Sequence, residues 1–348
     1  MTGSTTPDTA APDTAPADTT AADMAALAVD VGGTTVKGAL VDAAGRPLHE
    51  VAAPTSPADG TPVADVLTAV LAELAGRAEA AGLRVVGAGV VTPGTVDETT
   101  GRVGFAANLG WRDFDLRAHL EQRVAVPVAV GHDVRAAGAA EALLGAGRGA
   151  RDLAFIALGT GIAAALVTGG AVVTGATRAA GEIGHMPVHP GGRRCTCGQV
   201  GCLEAYASGA AVARRYTELG GAPGSTAGDV AGALGTDPAA DQAWQEAVQA
   251  LALAASTLTM ALDPALLVIG GGLGRAGERL LAPLRRELAG LLAWRPAPRL
   301  AAAELGQDAG RVGAAMLAYR AAGHGAVVER WTPADVLGPR DAAVEPAG

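Results

Sequence analysis

Short apolar blocks alternate along the chain with longer stretches in which apolar residues recur at helical spacing. Ala25–Val31 and Val36–Val41 read as two strands, Pro62–Ala81 as a helix ending before Gly82, and Val85–Val91 as another buried strand. Leu116–Val124 reads as a helix feeding the strand Val126–Val130. The Ala-rich stretch Val134–Leu144 is helical and stops at Gly145, which puts Asp133 where a strand hands over to a helix. A second set of strands is expected between Leu153 and Val173. Long helices over Thr236–Leu262 and Arg275–Leu292 enclose a short strand, Ala265–Ile269. No short tandem repeat is present, but a strand runs into a glycine-rich turn three times, at Asp30, Leu158 and Ile269.

Composition sharpens this picture. The 348 residues are about two domains' worth. With 49% apolar residues, 50 glycines and only 3% aromatics, packing must rest on Ala, Val and Leu, which suits a two-lobed α/β protein. The net charge is −9 and no basic stripe occurs, so nucleic acid is not expected as a partner. Residues 1–23 lack the basic and apolar regions of a signal peptide, so the cytoplasm is the expected compartment. The longest uncharged run, Leu153 to Thr177, is cut by Gly159-Thr160-Gly161 and Gly169-Gly170 into strand-sized pieces, which argues against a membrane span. With few large apolar side chains to offset the entropy of ordering, residues 1–24 and 329–348 are expected to be disordered or flexible tails.

The three turns carry candidate chemistry. Asp30-Val31-Gly32-Gly33-Thr34-Thr35-Val36-Lys37 places an acid at a strand end, then two residues without Cβ, so that backbone N–H groups can approach phosphate oxygens; Thr34 and Lys37 add a hydroxyl and a positive charge. Gly159-Thr160-Gly161 repeats the arrangement. Gly270-Gly271-Gly272-Leu273-Gly274 follows a strand and precedes a helix, a place where anions dock. A single such turn is equally what a tight hairpin needs. Neither Gly-x4-Gly-Lys-Ser/Thr nor a Gly-x-Gly-x-x-Gly after the first strand is present, so a phosphate site would have to be assembled from separated turns.

All three cysteines lie in Cys195-Thr196-Cys197-Gly198-Gln199-Val200-Gly201-Cys202, and His185 and His189 lie upstream. Three thiols and one imidazole make a closed tetrahedral set for a structural zinc ion, with either histidine as the fourth ligand on spacing alone. An odd number of cysteines without a secretion signal argues against a disulfide framework.

Asp-x-Gly-Gly-Thr near the N-terminus resembles the first phosphate loop of the actin-like ATPase (ribonuclease H-like) fold. Gly181-Glu182-Ile183-Gly184-His185, followed by the cysteine run and Gly201-Cys202-Leu203-Glu204, resembles the signature of the ROK family of repressors, uncharacterised frames and sugar kinases, which includes bacterial glucokinases. The similarity runs from about Ala25 to Arg320 and takes in Pro93-Gly94, Asn108-Leu109-Gly110-Trp111 and Asp133. It implies two lobes around a sugar and ATP cleft: a smaller one over 25–131, completed by a C-terminal helix over 311–323, and a larger one over 132–310 that carries the zinc motif. It further implies that His185, Cys195, Cys197 and Cys202 hold zinc, and that Gly94, Asn108, Glu182, His185 and Glu204 line the sugar pocket. Asp133 takes the place of the catalytic base, Gly159 to Gly161 that of the second phosphate loop, and Gly270 to Gly272 face adenosine. Mg²⁺ on the ATP phosphates is implied near Asp30, and a homodimer is implied, with Thr236–Leu262 as a candidate contact.

Two places depart from the family pattern. The catalytic acid usually follows an Asn that touches the sugar, whereas here it follows His132, which is larger but can still donate or accept a hydrogen bond there. The second phosphate loop usually continues with glycine, whereas here Ile162 is followed by Ala163-Ala164-Ala165. The family implies ATP-dependent phosphorylation of a hexose, with glucose first and N-acetylmannosamine or N-acetylglucosamine as alternatives; the two departures also raise a sugar-binding protein with little catalysis. A DNA-binding repressor is not expected, because the roughly two dozen residues before the Asp30 strand are Pro-rich and contain neither Lys nor Arg.

Overall fold

The computed structural model describes residues 23–56 and 58–338; the expected N-terminal tail up to residue 22 and residues 339–348 lie outside this range. Strand β1 (Met24–Val31) is the centre of the first sheet, and its apolar run up to Val29 follows from burial on both faces. It continues into the antiparallel strands β2 (Thr35–Asp42) and β3 (Pro47–Pro54). β3 was not expected from the apolar pattern: it is an edge strand whose residues alternate between half-buried and exposed, bounded by prolines. Helix α1 (Val63–Ala80) then returns the chain to β4 (Arg84–Thr92), parallel to β1. A small antiparallel sheet of β5 (Thr95–Asp97), β6 (Arg102–Ala106) and β7 (Trp111–Asp115) follows, too short for periodicity to reveal. After α2 (Leu116–Glu121), β8 (Val128–His132) completes the order β3-β2-β1-β4-β8 and passes directly into α3 (Asp133–Leu144).

The second sheet repeats the plan. β9 (Leu153–Leu158), β10 (Ile162–Thr168) and β11 (Ala171–Val172) form the antiparallel part. A helical insertion follows, α4 (Glu204–Ala207), α5 (Gly209–Glu218), α6 (Ala227–Gly232) and α7 (Pro238–Leu262). β12 (Leu266–Gly270) returns parallel to β9, and β13 (Arg299–Ala302) parallel to β12, giving β11-β10-β9-β12-β13. The helix expected over Arg275–Leu292 is present as α9 (Glu278–Leu291) but starts three residues later, because Gly277, whose φ is +57°, separates it from the short α8 (Gly271–Gly274). Among the described residues no helix is long and apolar enough to cross a membrane.

The two sheets exchange their last helices. α3 leaves the end of the first sheet and packs on β9 and β10 of the second, while α10 (Ala309–Ala321) leaves the second sheet and lies across β1, β4 and β8 of the first; the two helices also pack against each other. Glycine sets how closely they approach. A Cβ on Gly89 of β4 would lie 1.9 Å from the Ala314 carbonyl oxygen, one on Gly313 would lie 2.5 Å from that of Ala136, and one on Gly138 would lie 2.2 Å from the Ala165 Cβ. The fully buried Glu141 fastens α3 to the segment entering α10, accepting the N–H groups of Ala146, Glu304 and Leu305 at 2.9, 3.1 and 2.8 Å.

The C-terminal stretch corrects one expectation. A loose tail was expected from residue 329, yet the chain packs through α11 (Gly325–Val328) and α12 (Pro333–Leu337), burying Val327, Val328, Trp331 and Val336. Trp331 donates its indole N–H to the Ala43 carbonyl at 3.0 Å and meets Tyr319 edge-on, and Thr332 and Asp335 form a capping box. One aromatic anchor outweighs a composition rich in Ala, Pro and Asp. Because Gly89 faces backbone that cannot yield by a rotamer change, Gly89→Ala is expected to cost roughly 1–3 kcal/mol, read as a lower urea midpoint at unchanged slope.

Candidate active site

The β1–β2 and β9–β10 turns hold the same place in the two sheets and open onto one cavity of about 810 Å³, within the usual range for small-molecule sites. Gly32 N–H donates to Thr35 O at 3.0 Å and Gly159 N–H to Gly161 O at 2.9 Å, so these two amides are used inside their own turns. Gly33, Thr34, Thr160 and Gly161 border the cavity, and their amides have no partner in either turn. Of the third turn, Gly271 borders the cavity, at φ +79° and so close to Leu158 that a Cβ would meet its carbonyl oxygen at 2.5 Å. Gly270 ends β12 under the Phe155 ring, and a Cβ on Gly272 would meet open space.

Asp30 lies below this wall, where a Cβ on Gly310 at the start of α10 would come within 2.2 Å of its Oδ2. Burial pushes its carboxyl up to about 7; the charge of Asp133 adds to this and Lys37 opposes it. A carboxyl so placed fits a nearby cation, which would favour its ionised form. Lys37 itself stands on β2 off the cavity wall, with Nζ 3.5 Å from Gln307 Oε1.

Gly94, Asn108, His132, Asp133, Glu182, His185 and Glu204, scattered in sequence, all line the cavity. Gly94 has φ +107°, and a Cβ there would meet the Phe105 carbonyl oxygen at 2.3 Å. The motif around Glu182 depends on the same property: a Cβ on Gly181 would lie 2.0 Å from Ala164 O, and one on Gly184 would lie 2.3 Å from Ile162 O. Glycines thus press the 3-10 turn Ile183–His185 against β10 and bring Glu182 and His185 to the wall. Glu204, at the start of α4, accepts the Ile162 N–H at 2.9 Å, joining the segment after Cys202 to the end of the second phosphate turn. Ala163 borders the cavity, but Ala164 and Ala165 are buried inside β10, so their methyl groups leave the turn itself unobstructed.

Asp133 begins α3 with its side chain 28% exposed, and Oδ1 accepts the Val134 N–H at 2.7 Å. Burial holds its carboxyl above its ordinary value against the opposing charge of His132. His132 is 4% exposed; its Nδ1 accepts the Arg135 N–H and its Nε2 lies 3.5 Å from Glu182 Oε1. Burial alone would raise Glu182, but the hydrogen bond to His132 and the charges of His132 and His185 prevail and hold it below its ordinary value.

A group that sequence reasoning did not single out fixes this corner. Arg135, 2% exposed, donates Nε–H to Glu98 Oε1 at 2.9 Å, and its two Nη groups to the carbonyls of Arg178 and Val96, each at 3.1 Å. It ties α3 to the β5 region and to the loop leading to Glu182. Its only sequence signal was its place two residues after Asp133. Arg194, Thr196, Ser208 and Arg214 also line the cavity without having been anticipated.

His185 and the three cysteines place one ligand atom each within 4.8 Å of one another. Cys197 Sγ and Cys202 Sγ are 3.8 Å apart and Cys195 Sγ is 4.0 Å from His185 Nδ1. Bonds of about 2.3 Å to a tetrahedral zinc give sulfur–sulfur edges of about 3.8 Å, so the set fits that ion. Gly198 N–H donates to Cys195 O at 3.0 Å, closing the tight turn that carries two of the ligands. Burial, with the neighbouring thiols, pushes Cys202 up to about 12, a cost that a bound cation would remove. His189, the alternative ligand, packs its ring on Tyr206 at 4.6 Å between centroids and is not in the cluster.

Two lobes of like topology, with facing hairpin turns around one cleft, define the actin-like ATPase fold. The family model described as the ROK family matches residues 26–321, and the chain belongs to this family. It is 36% identical over 315 residues to a glucokinase from Halalkalibacterium halodurans, covering 84% of this chain and 94% of that one. It is also 36% identical over 301 residues to an N-acetylmannosamine kinase from Shigella boydii, covering 84% and 97%. Among solved structures, a ROK family glucokinase from Streptomyces griseus in complex with glucose and AMPPNP superimposes with a TM-score of 0.74 at 33% identity, over 85% of this chain and 99% of that one. Arg135→Leu removes one partner of a buried ion pair, and the expected loss is about 3 kcal/mol of stability, measured by urea unfolding against the wild type.

Proposed function

We propose that this protein is an ATP-dependent sugar kinase that phosphorylates a hexose hydroxyl, with glucose as acceptor and glucose 6-phosphate as product. The observation that carries this reading is that Asp133 shares one cavity with the amides of two facing turns and with the polar wall of Asn108, Glu182, His185 and Glu204. Phosphoryl transfer needs alignment and charge neutralisation more than covalent help. Asn108, Glu182, His185 and Glu204, with Gly94 allowing close approach, would hold the sugar hydroxyls. Asp133 would orient the reacting hydroxyl and accept its proton as the oxygen attacks the γ-phosphorus. The amides of Gly33, Thr34, Thr160 and Gly161 would hold the phosphates, and Gly271 would border the adenosine end. Mg²⁺ near Asp30 would supply charge neutralisation when bound, and the charge of Lys37 already acts on the Asp30 carboxyl. Closure of the lobes would exclude water.

The 36% identity to an N-acetylmannosamine kinase, equal to that with a glucokinase, keeps an N-acetylhexosamine as a second acceptor. The reading includes zinc at His185, Cys195, Cys197 and Cys202 and a cytoplasmic homodimer. Exposed Met260, Leu291 and Trp294, at and beyond the ends of α7 and α9, supply apolar surface for the dimer.

The test follows ADP release with Mg²⁺-ATP over a panel of hexoses and N-acetylhexosamines. Sugar-dependent release is expected, with kcat reduced about 10²- to 10⁴-fold in Asp133→Asn; no release with any sugar from folded, ATP-binding protein overturns the reading. For the metal, elemental analysis is expected to find one zinc per chain. Its removal by a strong chelator should weaken sugar binding far more than ATP binding, because His185 and Glu204 flank the ligands, and added zinc should restore it.

A further inference from the structure

Protein groups meet both ring nitrogens of His132. Nδ1 accepts the Arg135 N–H at 3.3 Å as the N-cap of α3. A nitrogen that accepts carries no proton, so the neutral ring holds its hydrogen on Nε2, which points at Glu182 Oε1, 3.5 Å away. The same Nδ1 lies 3.2 Å from Asp133 Oδ1. A lone pair and an ionised oxygen at that distance repel each other, and one proton placed between them turns the contact into a charge-assisted hydrogen bond. The pair therefore has a built place for one proton, beside the group that must remove one from the sugar.

The charges around the ring suit such a guest. Asp133 faces it from its own helix and Glu182 from the turn packed on β10. Glu98, beyond β5, accepts the His132 backbone N–H at 3.4 Å and binds the Arg135 guanidinium, whose charge also reaches Asp133 and Glu182, as that of His185 reaches Glu182. Asp30 lies beyond Asp133. A protonated ring would sit between the carboxylates of Asp133 and Glu182 with a hydrogen for each. The cap bond from Arg135 is already long at 3.3 Å, so little is lost when Nδ1 takes a proton.

We propose that His132 is a positioning residue and proton store for Asp133: the proton that Asp133 takes from the sugar hydroxyl passes to His132 Nδ1 and stays there until the products leave. The proposal rests on the sugar-kinase reading above. As the step proceeds, the sugar O–H bond breaks, an oxygen–phosphorus bond forms, and the bond from phosphorus to the ADP oxygen breaks. The proton moves to Asp133 and on to Nδ1, leaving Asp133 ionised and the ring an imidazolium held by Asp133 and Glu182. After the sugar phosphate and ADP depart, the proton returns through Asp133 to water. An Asn at this place could hold Asp133 but could not store a proton.

His132→Asn tests this directly, because Asn is a good N-cap and keeps α3 intact. The expected result is a kcat lower by tenfold or more at the wild-type optimum, a sugar dissociation constant within threefold of wild type, and an acid limb of kcat/KM displaced to lower pH by one unit or more. An acid limb in the same place as wild type reduces His132 to a helix cap and overturns the proposal. A second measurement needs no turnover: ring-nitrogen NMR of the folded protein, with His132 assigned by its absence in His132→Asn. The expected result is an Nε2–H tautomer at high pH and a protonation midpoint that falls by about one unit or more in Asp133→Asn. An Nδ1–H tautomer, or a midpoint indifferent to Asp133, overturns the proposal. Wild-type protein that shows this NMR coupling but no sugar-dependent ADP release would refute the kinase reading while leaving the proton pair standing.

Discussion

Close contact at three glycines holds the two lobes in register. Gly89 admits the Ala314 carbonyl, Gly313 admits the backbone of Ala136, and Gly138 admits the methyl of Ala165, so α3 and α10 lie against each other and each against the other lobe's sheet. Because α3 starts at Asp133 and α10 starts beside Asp30, this crossing also fixes these two half-buried acids relative to each other. Any lengthening of the side chains in the crossing would move chemistry as well as structure.

The site is built on that frame by the same means. Gly181 and Gly184 let one turn lie on β10, Gly94 lets another lie on β6, and the polar side chains that follow are carried to the wall as a consequence. The cysteine cluster adds a separate constraint: with His185 at one end and Glu204 two residues beyond Cys202, a metal ion there would fix two wall residues at once. Arg135 does similar work on the opposite side, holding the loop before Glu182 to the first lobe through the Arg178 carbonyl.

Much of this was legible in the sequence where a residue type is demanded by chemistry or by a turn. The strand-to-glycine pattern located β1, β9 and β12 and their turns, and the Cys and His spacing located the cluster down to a choice between His185 and His189. Spacing left that choice open; the family resemblance implied His185, and the fold agrees, with His189 packed on Tyr206 outside the cluster. The short strands β5 to β7 and the edge strand β3 escaped notice because too few of their residues are buried to make a pattern. Gly32 and Gly159 were read as phosphate donors, yet their amides close their own turns, a detail of hydrogen-bond geometry that composition does not carry. The Trp331 anchor was hidden by its neighbours, whose composition resembles that of a linker.

The exchange of helices bears on how the protein is made. The first lobe's sheet is complete once β8 has been synthesised, yet the face of β1 and β4 that α10 covers must wait for residues beyond Ala309, after the whole second sheet. A nascent chain therefore carries a finished but half-clothed sheet while the second lobe is made, with Ala26, Ala28 and Val91 among the side chains awaiting cover. Transiently exposed apolar surface of this kind is prone to wrong association, and the arrival of α10 closes it.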